Sequence, residues 1–413
     1  MFKHNKHFKN TDLLLTCALS LLTGALGGVV GAAFWHALHW ASDTREQIPW
    51  LLFLLPLGGV VTVLLFRLFR LNDHGGVSEI VKNLECDSPV RVLIAPLIFI
   101  CTVITHLLGG STGKEGAALQ IGGGGAAAIA RSFNLKDKYC TILIMSGMSA
   151  VFAGVFGTPL TALFFIMEFK FSYKKFYSAI LPCLISSFLA VGTASLFGAT
   201  KETIHLSESV GFDIVTGSKV LLLSVLICVL GAVMCLMFTK GKMLFMRLIS
   251  QPVLRILAGS VIIIVLTILV GDMRYSGSGM GMAINAIESG ADWYDFALKL
   301  LFTAVTLWAG FKGGEIVPTF CIGATFGCVM GSILGISPSL AAAIGLVALF
   351  AYATNSLISA VFLGVELFGF AILPYVILAC VVTTLLSGKI GLFYGRIIES
   401  PIYIIKNKIK AAE

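Results

Sequence analysis

The stretch GGSTGKEGAALQIGGGG (109–125) sets a lysine and a glutamate, Lys114 and Glu115, among eight glycines. A phosphate-cradling loop would follow its Gly-Lys pair with Ser or Thr, whose hydroxyl ligates magnesium. Glu115 holds that position here, where a carboxylate would repel phosphate, and Leu108 stands where the motif's first glycine belongs. The chemistry available is of another kind. Glycines at 109, 110, 113 and 116 let backbone N–H groups turn toward one point, and AALQIGGGGAAAIA continues as a small-residue helix. The start of a helix carries about half a positive charge and unpaired N–H donors, so it is an anion site. An ionised Glu115 is a tethered anion that can fill this site. Once protonated it loses that attraction and can give way to a free anion, so proton uptake and anion occupancy become coupled. The plainer alternative is that Glu115 caps its own helix or pairs with Lys114.

A second acid, Glu315, lies in a matching stretch. GKEGAALQIG (113–122) aligns with GEIVPTFCIG (314–323) at an offset of 201, and TPLTALFFIME (158–168) aligns with SLISAVFLGVE (356–366) at an offset of 198. The two offsets agree closely enough to predict one internal duplication. In GFKGGEIVPTF (310–320), Gly313 and Gly314 free the backbone and Pro318 sits near a helix start. One such start from each half, meeting at one buried anion, is the arrangement that repeats with broken helices produce. Glu168 and Glu366 close equivalent apolar helices, and a structural role at those ends is expected.

The chain that must position these residues is 57% hydrophobic and only 12% charged, against roughly one-quarter charged in soluble domains. It is expected to be an all-α integral membrane protein, because apolar runs recur at 13–41, 51–66, 92–108, 176–196, 220–239, 254–270, 339–352 and 369–386 without the alternation of a membrane barrel. Several runs are shorter than a full crossing, which predicts tilted or broken helices. Basic residues cluster at Lys3, Lys6 and Lys9, at Arg67 and Arg70, at Lys170, Lys174 and Lys175, at Lys240, Lys242 and Arg247, and at Lys406, Lys408 and Lys410. By the positive-inside rule these segments and both termini face the cytoplasm of a multi-pass cell-membrane protein. The expected organisation is a basic tail (1–10), a first repeat (11–200), an extracellular connection (201–217), a second repeat (218–410) and a short cytoplasmic end (411–413). The net charge of +8 reflects topology and contact with the lipid bilayer, since no continuous basic face for nucleic acid forms. Neither the ten cysteines nor the seven histidines show metal-ligand spacing, and the cysteines read as small hydrophobes. No cofactor is implied. Ser111 could suggest an intramembrane hydrolase, but no G-x-S-x-G elbow surrounds it and no histidine beyond His205 is placed to serve as a base.

These residues resemble the CLC family of chloride channels and anion/proton antiporters. GKEGAALQIGG is similar to the family's G-K/R-E-G-P stretch, GGEIVP to its G-x-F-x-P stretch, HGGVSEIVKN (74–83) to its G-S-G-I-P-E stretch, and SPIYIIKNK to the start of its final helix. The resemblance spans about residues 11–410. It implies a CLC-type fold of two inverted repeats with many tilted or broken transmembrane helices, and a homodimer with a pore in each subunit. It places a gating and proton-coupling role on Glu115. It implies a central anion held at Gly75, at backbone N–H groups of Glu315, Ile316 and Val317, and at the hydroxyl of Tyr403. An outer anion site follows from the backbone around Gly113, Lys114, Gly116 and Ala117. The departures are Gly75 for a serine, Ala117 and Ser78 for prolines, Ile316 for a phenylalanine, and Phe169 where many proton-coupled members have an internal acid. Glu315, at a usually apolar position, resembles the fluoride-exporting branch, where it would be a second proton carrier or a solvated vestibule acid. That branch has methionine in place of Gly75 and threonine in place of Val317. The implied function is transport of chloride or another small halide in exchange for protons; a passive channel, a fluoride/proton exporter and, more remotely, an intramembrane enzyme stay open.

Overall fold

The computed structural model describes residues 10–71, 92–135, 137–169, 177–200, 204, 206, 211–388 and 391–392. Gly75, Tyr403, residues 1–9 of the expected N-terminal tail and the expected C-terminal end lie outside these residues. Among the described residues the regular structure is helical, and eight helices are long and apolar enough to cross a membrane. Two expected crossings are shorter helices instead, Ile94–Leu107 (α3, 14 residues) and Pro338–Thr354 (α14, 17 residues). At 1.5 Å per residue, α3 reaches only about 21 Å, short of a hydrocarbon core of roughly 30 Å. Two spans absent from the apolar runs, within Asp137–Phe156 (α5) and Ile316–Leu334 (α13), are interrupted by Gly, Ser and Thr and are the most buried of the eight. Small and hydroxyl residues mark them as packed helices rather than lipid-facing ones.

One compact unit comprises Met1–Trp35, Gly76–Ala95 and Ala118–Lys201. Its helices are the first part of α1 (Asn10–Gln47), most of α4 (Glu115–Ser132), α5, α6 (Pro159–Phe169) and α7 (Ile180–Leu196). Lipid is as apolar as leucine, so helices associate here through close packing of small residues. Gly27 of α1 faces Ala150 of α5, and Gly122 of α4 lies against the backbone of Gly147 of α5.

The second unit comprises His36–Gly75, Pro96–Ala117 and Glu202–Glu413. It contains α2 (Leu55–Leu68), α8 (Ile214–Leu236), α9 (Lys242–Leu248), α10 (Pro252–Val270), α11 (Met280–Glu288), α12 (Asp295–Ala309), α13, α14, α15 (Leu357–Phe368) and α16 (Leu373–Ser387). Compactness therefore does not follow the expected repeat boundaries: residues 36–75 and 96–117 of the first repeat pack with the second. The reason is an apolar cluster that joins Leu55, Leu108, Ile256, Phe302 and Phe311. The helix α8 begins at Ile214, inside the expected connection, because the Asp213 side chain accepts hydrogen bonds from the Thr216 N–H at 2.8 Å and hydroxyl at 3.1 Å. Those two donors hold the Asp213 carboxyl below its ordinary range.

The Gly323 backbone of α13 meets Gly345 of α14 as Gly122 meets Gly147 in the other unit, at the same offsets of 201 and 198. A Cβ at Gly323 would lie 2.9 Å from the carbonyl carbon of Gly345 and 3.0 Å from Leu349, so the helices would have to separate. Gly323→Val is expected to destabilise the protein by about 1–3 kcal/mol. Thermal unfolding in detergent, followed by size exclusion, checks this, and parent-like stability would contradict the packing. Among the described residues eight cysteines are free and Cys140 is disulfide-bonded, so Cys140 departs from the reading of the cysteines as small hydrophobes.

Candidate functional site

Leu108 and Phe311 anchor two glycine-rich loops in one apolar cluster. Each loop runs directly into a helix, 109–114 into α4 at Glu115 and 310–315 into α13 at Ile316. The loops pair with each other: the Gly113 N–H donates to the Gly314 carbonyl at 2.5 Å, and the Gly314 N–H donates to the Gly113 carbonyl at 2.7 Å. This is an antiparallel bridge between the two residues that the sequence alignment equates. Antiparallel pairing of equivalent residues is what a local two-fold relation between repeats generates.

Glu115 is completely buried. Its carboxylate folds back over the bridge, so that a Cβ on Gly113 would lie 2.7 Å from one of its oxygens and a Cβ on Gly314 would collide with the other. The amide N–H groups of Lys114, of Glu115 itself and of Val317 lie close enough to act on the carboxylate, although neither oxygen meets a protein donor in full hydrogen-bond geometry. Amides from both helix starts thus lie near a single carboxylate. The position it fills is one that a small free anion could take instead.

The other expected residues divide. Gly113, Gly116, Ala117, Ile316 and Val317 are buried around this point, and Lys114 is 7% exposed. Glu315 is half-buried at the N-cap of α13; its carbonyl accepts from the Thr319 amide at 3.0 Å and hydroxyl at 2.8 Å. Glu168 is buried at the end of α6 and Glu366 half-buried near the end of α15. Among the described residues no group of three or more His, Cys, Asp or Glu could hold a metal ion.

Lys299 and its neighbours were missed by the sequence reading. The Lys299 ammonium is fully buried and donates to the Ser111 hydroxyl at 3.0 Å, the Tyr275 carbonyl at 3.0 Å and the Gly277 carbonyl at 2.8 Å. Three acceptors match the three N–H bonds of an ammonium, so this lysine is no base for Ser111 and gives the hydrolase reading no support. A lone lysine inside the apolar helix DFALKLLFTAVTLWA was the available signal, since a charge at such depth is costly and has a partner.

Comparison with known proteins extends this geometry. The family described as "Voltage gated chloride channel" matches residues 58–388. The chain is 31% identical to a Pseudomonas syringae pv. tomato protein named "Chloride/fluoride channel protein", over 92% of this chain and 85% of that one. It is 26% identical to the Vibrio cholerae "H(+)/Cl(-) exchange transporter ClcA", over 90% and 86%. A solved structure, "Crystal structure of a CLC-type fluoride/proton antiporter", superposes with a TM-score of 0.88 at 32% identity, covering 94% of this chain and 98% of that one. The fold is the CLC-type arrangement of two inverted repeats with broken transmembrane helices. A match over most of its length, joined to paired helix starts that close on one buried acid, makes this chain a member of the voltage gated chloride channel (CLC) family.

Proposed function

We propose that this protein carries small monovalent anions across the membrane in exchange for protons, with Glu115 as the gate. The observation that carries this reading is the buried Glu115 carboxylate lying among amides of both helix starts. An ionised carboxylate and a transported anion compete for the same donors, so an anion gains access when a proton neutralises and releases the side chain. The exchange named for the Vibrio relative and for the solved antiporter is the cycle such competition produces. The outer site is assigned to the backbone from Gly113 to Ala117, Lys114 included. The central site is assigned to the N–H groups of Glu315, Ile316 and Val317; the resemblance adds Gly75 and Tyr403, which lie outside the described residues. The basic segments support a cytoplasmic side for both termini, and the family resemblance supports a homodimer with a pore in each subunit. No enzymatic step is assigned.

Fluoride is the second reading of the substrate. It is favoured by Glu315 at the start of α13, where a protonated acid can donate a hydrogen bond to a small hard anion, and by the names of the relatives at 31% and 32% identity.

Purified protein in liposomes tests both readings. An outward anion gradient is expected to drive protons uphill in the opposite direction, with fluoride efflux faster than chloride efflux. Anion flux without proton movement would make the protein a passive channel, and equal efflux of the two halides would remove the fluoride preference.

A further inference from the structure

The helix α12 carries a polar stripe on an otherwise apolar surface. Lys299, Thr303 and Thr306 follow at i, i+4 and i+7, which places them on one face, and all three are fully buried. Each of them grips Ser111. The ammonium donates to the Ser111 hydroxyl at 3.0 Å, that hydroxyl lies 3.0 Å from the Thr303 hydroxyl, and the Ser111 N–H donates to the Thr306 hydroxyl at 3.1 Å. Thr306 is itself fixed by donating to the Phe302 carbonyl at 2.7 Å. Lys299 also binds the Tyr275 and Gly277 carbonyls, and the Gly277 N–H reaches the Gly110 carbonyl at 3.1 Å. Gly279, at φ +83°, leaves room for this: a Cβ there would lie 2.9 Å from the Lys299 nitrogen.

Ser111 stands two residues before Gly113, and α12 leads through the 310–315 loop into α13. One helix therefore holds both halves of the anion cage, α13 through the chain and the α4 start through Ser111. The ammonium has no carboxylate within 4.0 Å among the described residues; its acceptors are two carbonyls and one hydroxyl. Burying such a charge is costly, more than tying down a loop with a neutral donor would require.

We infer that Lys299 is a positioning residue for the anion site: it fixes Ser111, and through Ser111 it sets how closely the amides of the α4 start approach those of the α13 start. This rests on the anion-site reading above. A cage held loosely binds its ion weakly even when every direct contact is present, and loss of an outer partner of comparable kind weakens ion binding by about 10- to 100-fold.

The test is anion flux from proteoliposomes as a function of anion concentration, for the parent, Lys299→Gln, Lys299→Arg and Ser111→Ala. Lys299→Gln is expected to raise the KM about tenfold with a smaller change in maximal rate, and Lys299→Arg to restore most of the loss. Ser111→Ala keeps the ammonium on its two carbonyls but frees the loop, and is expected to raise the KM in the same direction. A folded Lys299→Gln protein with the parent's KM overturns the inference. Should Lys299→Gln fail to fold, a parental KM in Ser111→Ala overturns it equally. A parent that moves no anion overturns the transport reading and this inference with it, whereas an active parent with unaffected variants leaves transport standing and removes the positioning role alone.

Discussion

Glu115→Gln is expected to abolish proton coupling while anion flux continues. The amide side chain keeps the size and reach of the carboxylate but carries no charge at any pH. It therefore gains little from the nearby amides of Lys114, Glu115 and Val317, since those groups and the helix starts behind them favour an anion. The site then stands open to a free ion, and no proton is taken up or released as it empties and fills. Proteoliposomes under an anion gradient should show efflux comparable to the parent's and proton movement at background. Coupled proton movement that persists in this variant would remove Glu115 from the gate. Helix capping alone, the plainer role for this residue, predicts a different result: stability lower by about 0.5–2 kcal/mol with coupling unchanged.

Gly314→Ala is expected to act in the opposite direction. A methyl group at Gly314 would collide with the Glu115 carboxylate and lie 2.8 Å from the Gly116 nitrogen. The carboxylate can swing aside, but the Gly116 backbone cannot move without disturbing the α4 start. The methyl also occupies the volume in which a competing anion would sit, so displacing the gate does not open the path. Anion flux should fall about tenfold or more, as expected when a well-placed ion-binding group is lost, and the fold should lose about 1–3 kcal/mol from overpacking. Flux at the parental level in Gly314→Ala would show that the anion does not pass the paired glycines. Together the two variants separate charge from space: one removes the tethered charge and leaves the room, the other fills the room.

The membrane character, the helical class and the helix start at Glu115 were all legible along the chain, because each depends on composition or on residues within a few positions of one another. An acid in a chain with 12% charged residues and the duplicated glycine-rich stretches drew attention to the two loops that the fold pairs at Gly113 and Gly314. Crossings were harder to read. In α5 and α13 small and hydroxyl residues broke up the apolar signal, yet those same residues allow the close backbone contacts at Gly147 and Gly323. Apolar content marks surface that meets lipid, and the most deeply packed helices need less of it.

Local pattern had no means of showing that Gly113 would pair with Gly314, or that Lys299 would reach Ser111 across 188 positions. Such contacts depend on where α12 and the two loops lie after packing, and a lysine in an apolar helix looks the same whether it holds a loop, a lipid headgroup or an ion. The chain by itself determined the solvent, the helices and the acid able to imitate an anion. Folding decided which amides face that acid, because amides become an anion site only when residues some 200 positions apart are brought within hydrogen-bond distance and water is excluded from between them.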